Sequence, residues 1–380
     1  MKFLITFGSL FLLGLPLLGR EFVVITTQDG TSVYNLRGAI IAANALGGHN
    51  TITLRQGTYQ LGGYTALEIT NGNLTITGRR GTIIDASGLL GGGILDNSVF
   101  HISSDARATF DNLTITGGVG YGGGGISNLG QLVLDNCDIS GNYSGGFGGG
   151  GINNSGDLTM FNCSVSGNSG GIRFGFSSNG GGIYNTGNLV INNCVISGNS
   201  TQPGADGDYF PGGLAIFPVG FIPGFDGEAG GDGGGIYNAG DLFLNNSFII
   251  ENACGSGGNG SDSMNDNAGN GGNGGNGGGI FNLGSLVLNH CTVRNNSCGA
   301  GGNGGNETTD PGRTPKDGNG GNGGSGGGIF NAADASDARL LNRTSVHSNS
   351  AGLGGEPGTN GDFGLNGSGP DLFWDIPISR

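Results

Sequence analysis

Residues Gly123–Asn142 read GGGISNLGQLVLDNCDISGN, and the chain repeats this stretch five more times. The copies are Gly151–Asn168 (GINNSGDLTMFNCSVSGN), Gly182–Asn199 (GIYNTGNLVINNCVISGN), Gly235–Asn252 (GIYNAGDLFLNNSFIIEN), Gly279–Asn296 (GIFNLGSLVLNHCTVRNN) and a degenerate last one, Gly328–Asn349. A repeat of this kind sets the architecture before any other signal. Leu132 and Leu134 share one face of an alternating strand, whereas Cys137 and Ile139 alternate in the opposite register. The parity changes at Asn136, so the chain must turn there. Asn enters the left-handed region more readily than other non-glycine residues, which suits a corner. Repeats stacked at the strand spacing of ~4.8 Å place like residues over like. Asn128, Asn154, Asn185, Asn238, Asn282 and Asn331 then form one column, and Asn142, Asn168, Asn199, Asn252, Asn296 and Asn349 another. Amides stacked in this way hydrogen-bond along the column. The pattern predicts an all-β chain, a parallel β-helix with one repeat per coil and roughly nine coils.

Composition agrees. Of 380 residues 90 are Gly, without the every-third-residue period of collagen along the whole chain. Apolar residues are too regularly placed for disorder. The net charge of -14 excludes a surface built for nucleic acid or anionic membranes, which need clustered Lys and Arg. The exposed residues must be mainly Asn, Ser, Thr and Gly, which hydrogen-bond without charge. No cofactor is expected.

The ends differ from the middle. Residues 1–19 read as a signal peptide, with Lys2 followed by the apolar run Phe3 to Leu18. No later segment is apolar enough to span a membrane. The mature chain is expected outside the cytoplasm, extracellular or associated with the cell surface, and monomeric. Residues 20–61 form a cap. Within them Leu36, Ala39, Ile40, Ala43 and Leu46 recur with helical period, Asn35 is placed as N-cap and Gly47 as C-cap. A helix there would cover the bare core and open strand edges of a solenoid end. Residues 62–350 are the β-helix, with six regular repeats from about 122, and residues 351–380 a Gly-rich C-terminal tail or cap.

Long segments join the repeats: Ser200 to Asp232, Ala253 to Asn276 and Ser297 to Ser325. All leave the coil at the same point, so they mass on one side, as loops of a binding face do in repeat proteins. Asn270 to Gly278 reads NGGNGGNGG. Its period of three is that of a flexible linker when isolated. It also fits polyproline-II-like packing beside Gly301 to Gly305 and Gly318 to Gly324.

Two stretches resemble known families. Val33 to Asn44 (VYNLRGAIIAAN) is similar to the N-terminal module named for its Cys-Ser-Leu-Arg-Glu-Ala motif, through Leu36, Arg37, Ala39, Ile40 and Asn44. Tyr34, Asn35 and Gly38 stand where that motif has Cys, Ser and Glu. The repeats resemble those of chlamydial-type polymorphic outer membrane proteins. GGGI stands for their Gly-Gly-Ala-Ile, and Phe243 to Asn246 keeps their Phe-x-x-Asn. The resemblance implies a right-handed coil, export, display at the outer membrane, and adhesion. It also implies a C-terminal membrane barrel in self-transporting members, for which this sequence has no counterpart.

Four groups of residues are candidates for chemistry. Asp111 and Asp135 align on adjacent coils, with Asp138 just past the corner. Stacked carboxylates hold Ca2+ or act as an acid/base pair, and their plain reading is solvated surface. Later coils place Phe161, Asn192, Asn245 and Asn289 in this column, which supplies no catalytic base. Cys137, Cys163, Cys194 and Cys291 form an inward column of small core residues. Cys254 and Cys298 occupy equivalent positions on adjacent coils, a spacing compatible with a disulfide. The loop from Pro203 to Asp232 carries Tyr209, Phe210, Phe217, Phe221 and Phe225, and the loop before it Arg173, Phe174 and Phe176. These aromatics either cover the coil as a satellite core or meet a partner.

The leading expectation is therefore a non-enzymatic, adhesin-like protein that binds a protein or glycan on a cell surface through its inter-repeat loops. The alternatives are a polysaccharide lyase or hydrolase on a pectate-lyase type of coil, and a structural envelope protein.

Overall fold

The computed structural model describes residues 19–63, 65–89, 98–146, 148–173, 176–208, 222–308, 314–333, 335 and 337–374. The expected signal peptide therefore lies almost wholly outside the described residues. The chain forms a right-handed parallel β-helix. The coil opened by the first repeat has three strands, Ile126–Asn128, Gln131–Asp135 and Asp138–Ser140. Each pairs in parallel register with its counterpart one coil on: Ile126 with Ile152, Leu132 with Leu158, Ile139 with Val165. Among the described residues the six Ile-x-Asn strands join Leu67–Ile69, Phe100–Ile102 and Leu372–Trp374 in a sheet of nine. The other two faces count as one sheet of 17 strands, because in the early coils single strands, Asn73–Asp85 and Arg107–Thr116, run round the corner.

The corner residues adopt the conformation that their type permits. Asn136, Asn162, Asn193 and Asn246 have φ of 52°, 53°, 56° and 50°, and His290 takes the same turn at 55°. Inside the coil Ile126, Leu132, Leu134, Cys137 and Ile139 are buried, and one continuous apolar core runs from Phe22 to Ile329. Each fully buried Leu or Ile contributes about 1.5–3 kcal/mol relative to exposure. Both Asn columns are buried ladders. Along the first, Nδ2 of Asn128 donates to Oδ1 of Asn154, and the step repeats through Asn185, Asn238, Asn282 and Asn331 at 2.7 Å each. Along the second, Asn142 through Asn349 repeat it at 2.9–3.0 Å. Asp371 ends that ladder by accepting from Asn349 Nδ2 at 3.0 Å.

Helix α1, Leu36–Leu46, covers the N-terminal end and buries Leu36, Ala39, Ile40 and Ala43. Asn35 does not cap it through its side chain. Instead Asn35 Nδ2 donates to the Gln28 carbonyl at 2.7 Å and holds the preceding loop. Arg37 and Asn44 fasten the helix. Arg37 pairs with Asp29 at 2.9 Å and donates to the Ala66 carbonyl at 2.8 Å. Asn44 mimics a strand edge: its Nδ2 donates to Glu68 O at 2.7 Å and its Oδ1 accepts from Thr70 N at 3.1 Å. No helix of the described residues is long and apolar enough to cross a membrane.

Candidate binding surface

The inter-repeat segments build a second body beside the coil. Each leaves the coil, turns and comes back, so that outgoing and returning segments form two layers. The outgoing layer stacks 201–207, 254–263, 298–307 and 351–359. The returning layer stacks 222–233, 266–277, 316–326 and 362–368. Apart from short bridges at the tips, these segments are neither helix nor strand, and their hydrogen bonds recur every third residue, the period of polyproline II.

The triplet Asn270-Gly271-Gly272 shows why the sequence reads NGG. Gly271 N donates within its layer to Asn319 O at 2.8 Å, and Gly272 N donates across layers to Gly258 O at 2.8 Å. Asn270 N donates outward to Asp226 Oδ1 at 2.6 Å, and Asn270 Oδ1 in turn accepts from Asn319 N at 2.9 Å. Thus all three N–H groups are satisfied with no contribution from an apolar side chain, as a buried backbone requires. The cross-layer bonds zigzag from Gly258 to Gly272, Gly302, Gly321 and Gly355, each step at 2.8 Å. At Gly258 and Gly272 a Cβ would overlap the carbonyl oxygens of Ala205 and Glu228, so only Gly fits the inner positions.

The outward third residue makes the surface. On the outgoing face Asp206, Asn259, Asn303 and Glu356 follow one another, each backbone N–H capped by the side-chain oxygen before it at 2.7–2.9 Å. On the returning face Asp226, Asn270, Asn319 and Asp362 do the same at 2.6–2.9 Å. Successive outward residues are about 9 Å apart along a segment, given a rise of ~3.1 Å per residue. The result is a two-dimensional array of exposed amides and carboxylates, each held by the backbone of the next segment.

The candidates from the sequence are distributed as follows. Asp111 and Asp135 do lie in register on adjacent coils. However, Asp111 Oδ1 accepts from Asn112 Nδ2 at 2.8 Å, Asp135 Oδ1 from Asn162 Nδ2 at 3.1 Å, and Asp138 Oδ2 from Ser140 Oγ at 3.2 Å. Among the described residues no group of three or more His, Cys, Asp or Glu is placed to hold a metal ion, so the Ca2+ candidate is not assembled. The Cys254–Cys298 disulfide is also corrected, because all six cysteines are free thiols. In an in-register stack the two Cβ atoms point the same way, about 4.8 Å apart, beyond the Cβ separation of a disulfide. The column has another task. Thr201 Oγ1 donates to Gly231 O at 2.6 Å, Cys254 Sγ to Asn276 O at 3.0 Å and Cys298 Sγ to Ser325 O at 2.9 Å. Each ties an outgoing segment to its own return. Burial raises the Cys254 thiol and pushes Cys298 up to about 12, so both stay protonated.

In the inward column Cys137 N donates to Cys163 Sγ at 3.4 Å and Cys163 N to Cys194 Sγ at 3.2 Å. The hydrogen bond with Cys137 above all pushes Cys163 up to about 12, and that with Cys163 likewise raises Cys194. Phe174, Tyr209, Phe210, Phe217 and Phe221 lie outside the described residues. Arg173 and Phe176 pair in a short antiparallel hairpin. Phe225 is half-buried in the returning layer, where its N–H donates to Ser261 Oγ at 2.9 Å.

Two features escaped the sequence reading. The outward Asn array was written in the constant offset between triplets of successive loops. An aromatic ladder on the nine-stranded sheet, Tyr184, Tyr237, Phe281, Phe330 and Phe373, stacks with centroids 4.9–5.1 Å apart. It was visible as the x of Ile-x-Asn. Its ring faces meet one another rather than solvent, which makes it a structural stack. Within it burial raises Tyr237 to about 12, and beside it burial raises the Asp232 carboxyl to about 6.

No family model and no curated protein matches the chain. Solved structures do resemble it. Pectate lyase Pel9A is 15% identical with a TM-score of 0.39, over 83% of this chain and 78% of that one. Pectin methylesterase from Aspergillus niger is 14% identical with a TM-score of 0.34, over 87% of each chain. Escherichia coli ybhc is 12% identical with a TM-score of 0.37, over 87% of this chain and 86% of that one. At this level the likeness is one of parallel coils and transfers no residue roles. The resemblance to the two exported families stays an expectation of the sequence.

Proposed function

We propose that the chain is an exported, non-enzymatic, adhesin-like protein of the cell surface that binds a glycan through the outer faces of its loop sandwich. The observation that carries this reading is the array of outward amides whose oxygens are fixed by backbone N–H groups. A preformed array of polar groups loses little freedom on binding, and hydroxyl-rich ligands match amides and carboxylates in hydrogen-bonding capacity. The scarcity of charge, 11% of residues, points the same way, since nucleic acids and charged surfaces call for more.

The enzymatic alternative is the one towards which the names of the similar structures lean. It needs two carboxylates, or a carboxylate beside a cation, facing a substrate groove. Asp111 and Asp135 instead hold neighbouring Asn side chains at their corners, and among the described residues no Lys or Arg pairs with them. The deciding experiment is a glycan and host-protein array with the mature protein, run beside depolymerisation and de-esterification assays on pectin. Retention of glycans without turnover is the expected result. Product release abolished by substituting Asp111 or Asp135 would establish the enzyme instead.

A further inference from the structure

On the returning face the array opens into a groove of about 450 Å³, within the ~300–1,000 Å³ of small-molecule sites. Asn267, Asn270, Pro315, Lys316, Asn319 and Asp362 are among its lining residues. The amides are already oriented. Asn267 Oδ1 accepts from Lys316 N at 3.0 Å, Asn270 Oδ1 from Asn319 N at 2.9 Å and Asn319 Oδ1 from Asp362 N at 2.9 Å. Their oxygens are thus spent on backbone, and their Nδ2 groups remain as donors. Asn270 Nδ2 is engaged by Asp226 at 3.0 Å, whereas those of Asn267 and Asn319 have no partner among the described residues. Lys316 and Asp362 line the same groove without an ion pair between them. The groove therefore offers fixed donors, one ammonium and one carboxylate that are uncommitted among the described residues.

We propose that this groove is a saccharide subsite for a neutral glycan, an inference that rests on the glycan-binding reading above. A sugar hydroxyl both donates and accepts, so it is matched by an amide donor next to a carboxylate acceptor. The half-buried Pro315 ring gives the sugar C–H face an apolar contact. An acidic glycan is disfavoured. Asp317, which also lines the groove, accepts from Glu307 N at 2.7 Å and from Asn360 N and Nδ2 at 2.7 and 3.0 Å. The hydrogen bond from Glu307 above all, with those from Asn360, holds Asp317 below the ordinary carboxylate range. With Asp362 it leaves two carboxylates against one Lys in the groove.

The test is calorimetric titration of the mature protein with neutral cello-, xylo-, manno- and galacto-oligosaccharides and with oligogalacturonate. The native chain should bind at least one neutral oligosaccharide. Asp362→Ala and Lys316→Ala should each weaken that binding about tenfold or more, the range of hydrogen bonds to charged groups. Neither side chain has a partner among the described residues, so Tm should not move, and Arg80→Ala on an early coil is the control. Neutral-glycan binding that survives both substitutions overturns the groove while leaving the glycan-binding reading intact. Preference for oligogalacturonate overturns the choice of a neutral ligand. No binding to any glycan removes the underlying reading and the groove with it.

Discussion

The coil and the loop sandwich stack their layers in the same way but close their interiors by different means. In the coil, Leu, Ile and Cys side chains fill the space between three faces, and Asn ladders sit inside at the turns. In the sandwich, glycine lets two layers of backbone approach until carbonyl and N–H meet, and the Asn ladders lie outside. The coil thus draws on the hydrophobic effect, while the sandwich draws on hydrogen bonds whose net worth is only about 0.5–1.5 kcal/mol each. The same residue, Asn, is therefore a buried fastener in one region and an exposed, partly free group in the other. On the proposed reading, stability and binding capacity are separated between the two bodies.

The largest effect is expected from breaking an inner ladder. Asn185 is fully buried. Its Nδ2 donates to Asn238 Oδ1 at 2.7 Å and Gly187 O at 3.0 Å, and its Oδ1 accepts from Asn154 Nδ2 at 2.7 Å. Asn185→Ala would strand several buried polar groups and should cost on the order of 3–5 kcal/mol. Chemical denaturation reads this directly; a loss under about 1 kcal/mol would mean that the ladder adds little.

Gly272→Ala attacks the sandwich instead. The new Cβ would meet the Glu228 carbonyl, and neither backbone has side-chain freedom with which to yield. Overpacking of this kind costs about 1–3 kcal/mol. Hydrogen exchange should show lost protection at Gly258, Gly272 and Gly302 with the coil amides unchanged. Lost protection in both bodies would show that they unfold as one unit.

The coil was legible because its rules are local and periodic. Leu132 and Leu134, then Cys137 and Ile139, state the faces, and Asn136 marks the corner with its own conformational preference. The stacking of Asn128 over Asn154 followed from that register alone. The sandwich was only half legible. Asn270 to Gly278 shows a period of three, but the partner of Gly272 is Gly258 in the opposite layer, and no short-range pattern pairs them. Cys254 and Cys298 misled for a related reason. Their equivalence placed them together correctly, but a parallel stack points both side chains the same way, towards Asn276 O and Ser325 O. The groove residues were invisible because Asn267, Lys316 and Asp362 belong to three different loops, brought together by bonds between segments such as Lys316 N to Asn267 Oδ1 and Asp362 N to Asn319 Oδ1.

Asp232 sits where the two bodies meet, and it sharpens the comparison by pH. It continues an outer ladder, its N–H donating to Asn179 Oδ1 at 2.8 Å and its Oδ1 accepting from Asn276 N at 2.6 Å. Burial raises its carboxyl to about 6 from an ordinary 3.8. Between those values the folded chain binds more protons than the unfolded one, so stability falls as pH rises through that window and stays lower above it. Asp232→Asn keeps the acceptor oxygen and removes the charge. It should raise stability at pH 7 by about 1–2 kcal/mol and flatten the profile between pH 4 and 6. Urea denaturation across pH checks this, and an unchanged slope would place the titration elsewhere.

The smallest effect is expected at an outer ladder, and its smallness is the point. Asn273 is exposed, and its Oδ1 caps the backbone N–H of Asn322 at 2.8 Å. In Asn273→Ala that N–H loses its cap but gains access to water, so the penalty of burial does not arise. The cost should stay below about 1 kcal/mol, several times less than at Asn185, although the same side chain is removed from the same kind of ladder. Paired denaturation of the two variants measures the difference. Equal costs would mean that the outer amides are as essential to folding as the inner ones, and therefore less free to serve a ligand. A small cost leaves the outer face open to substitution by function, since its Asn residues can be exchanged without unfolding the bodies beneath.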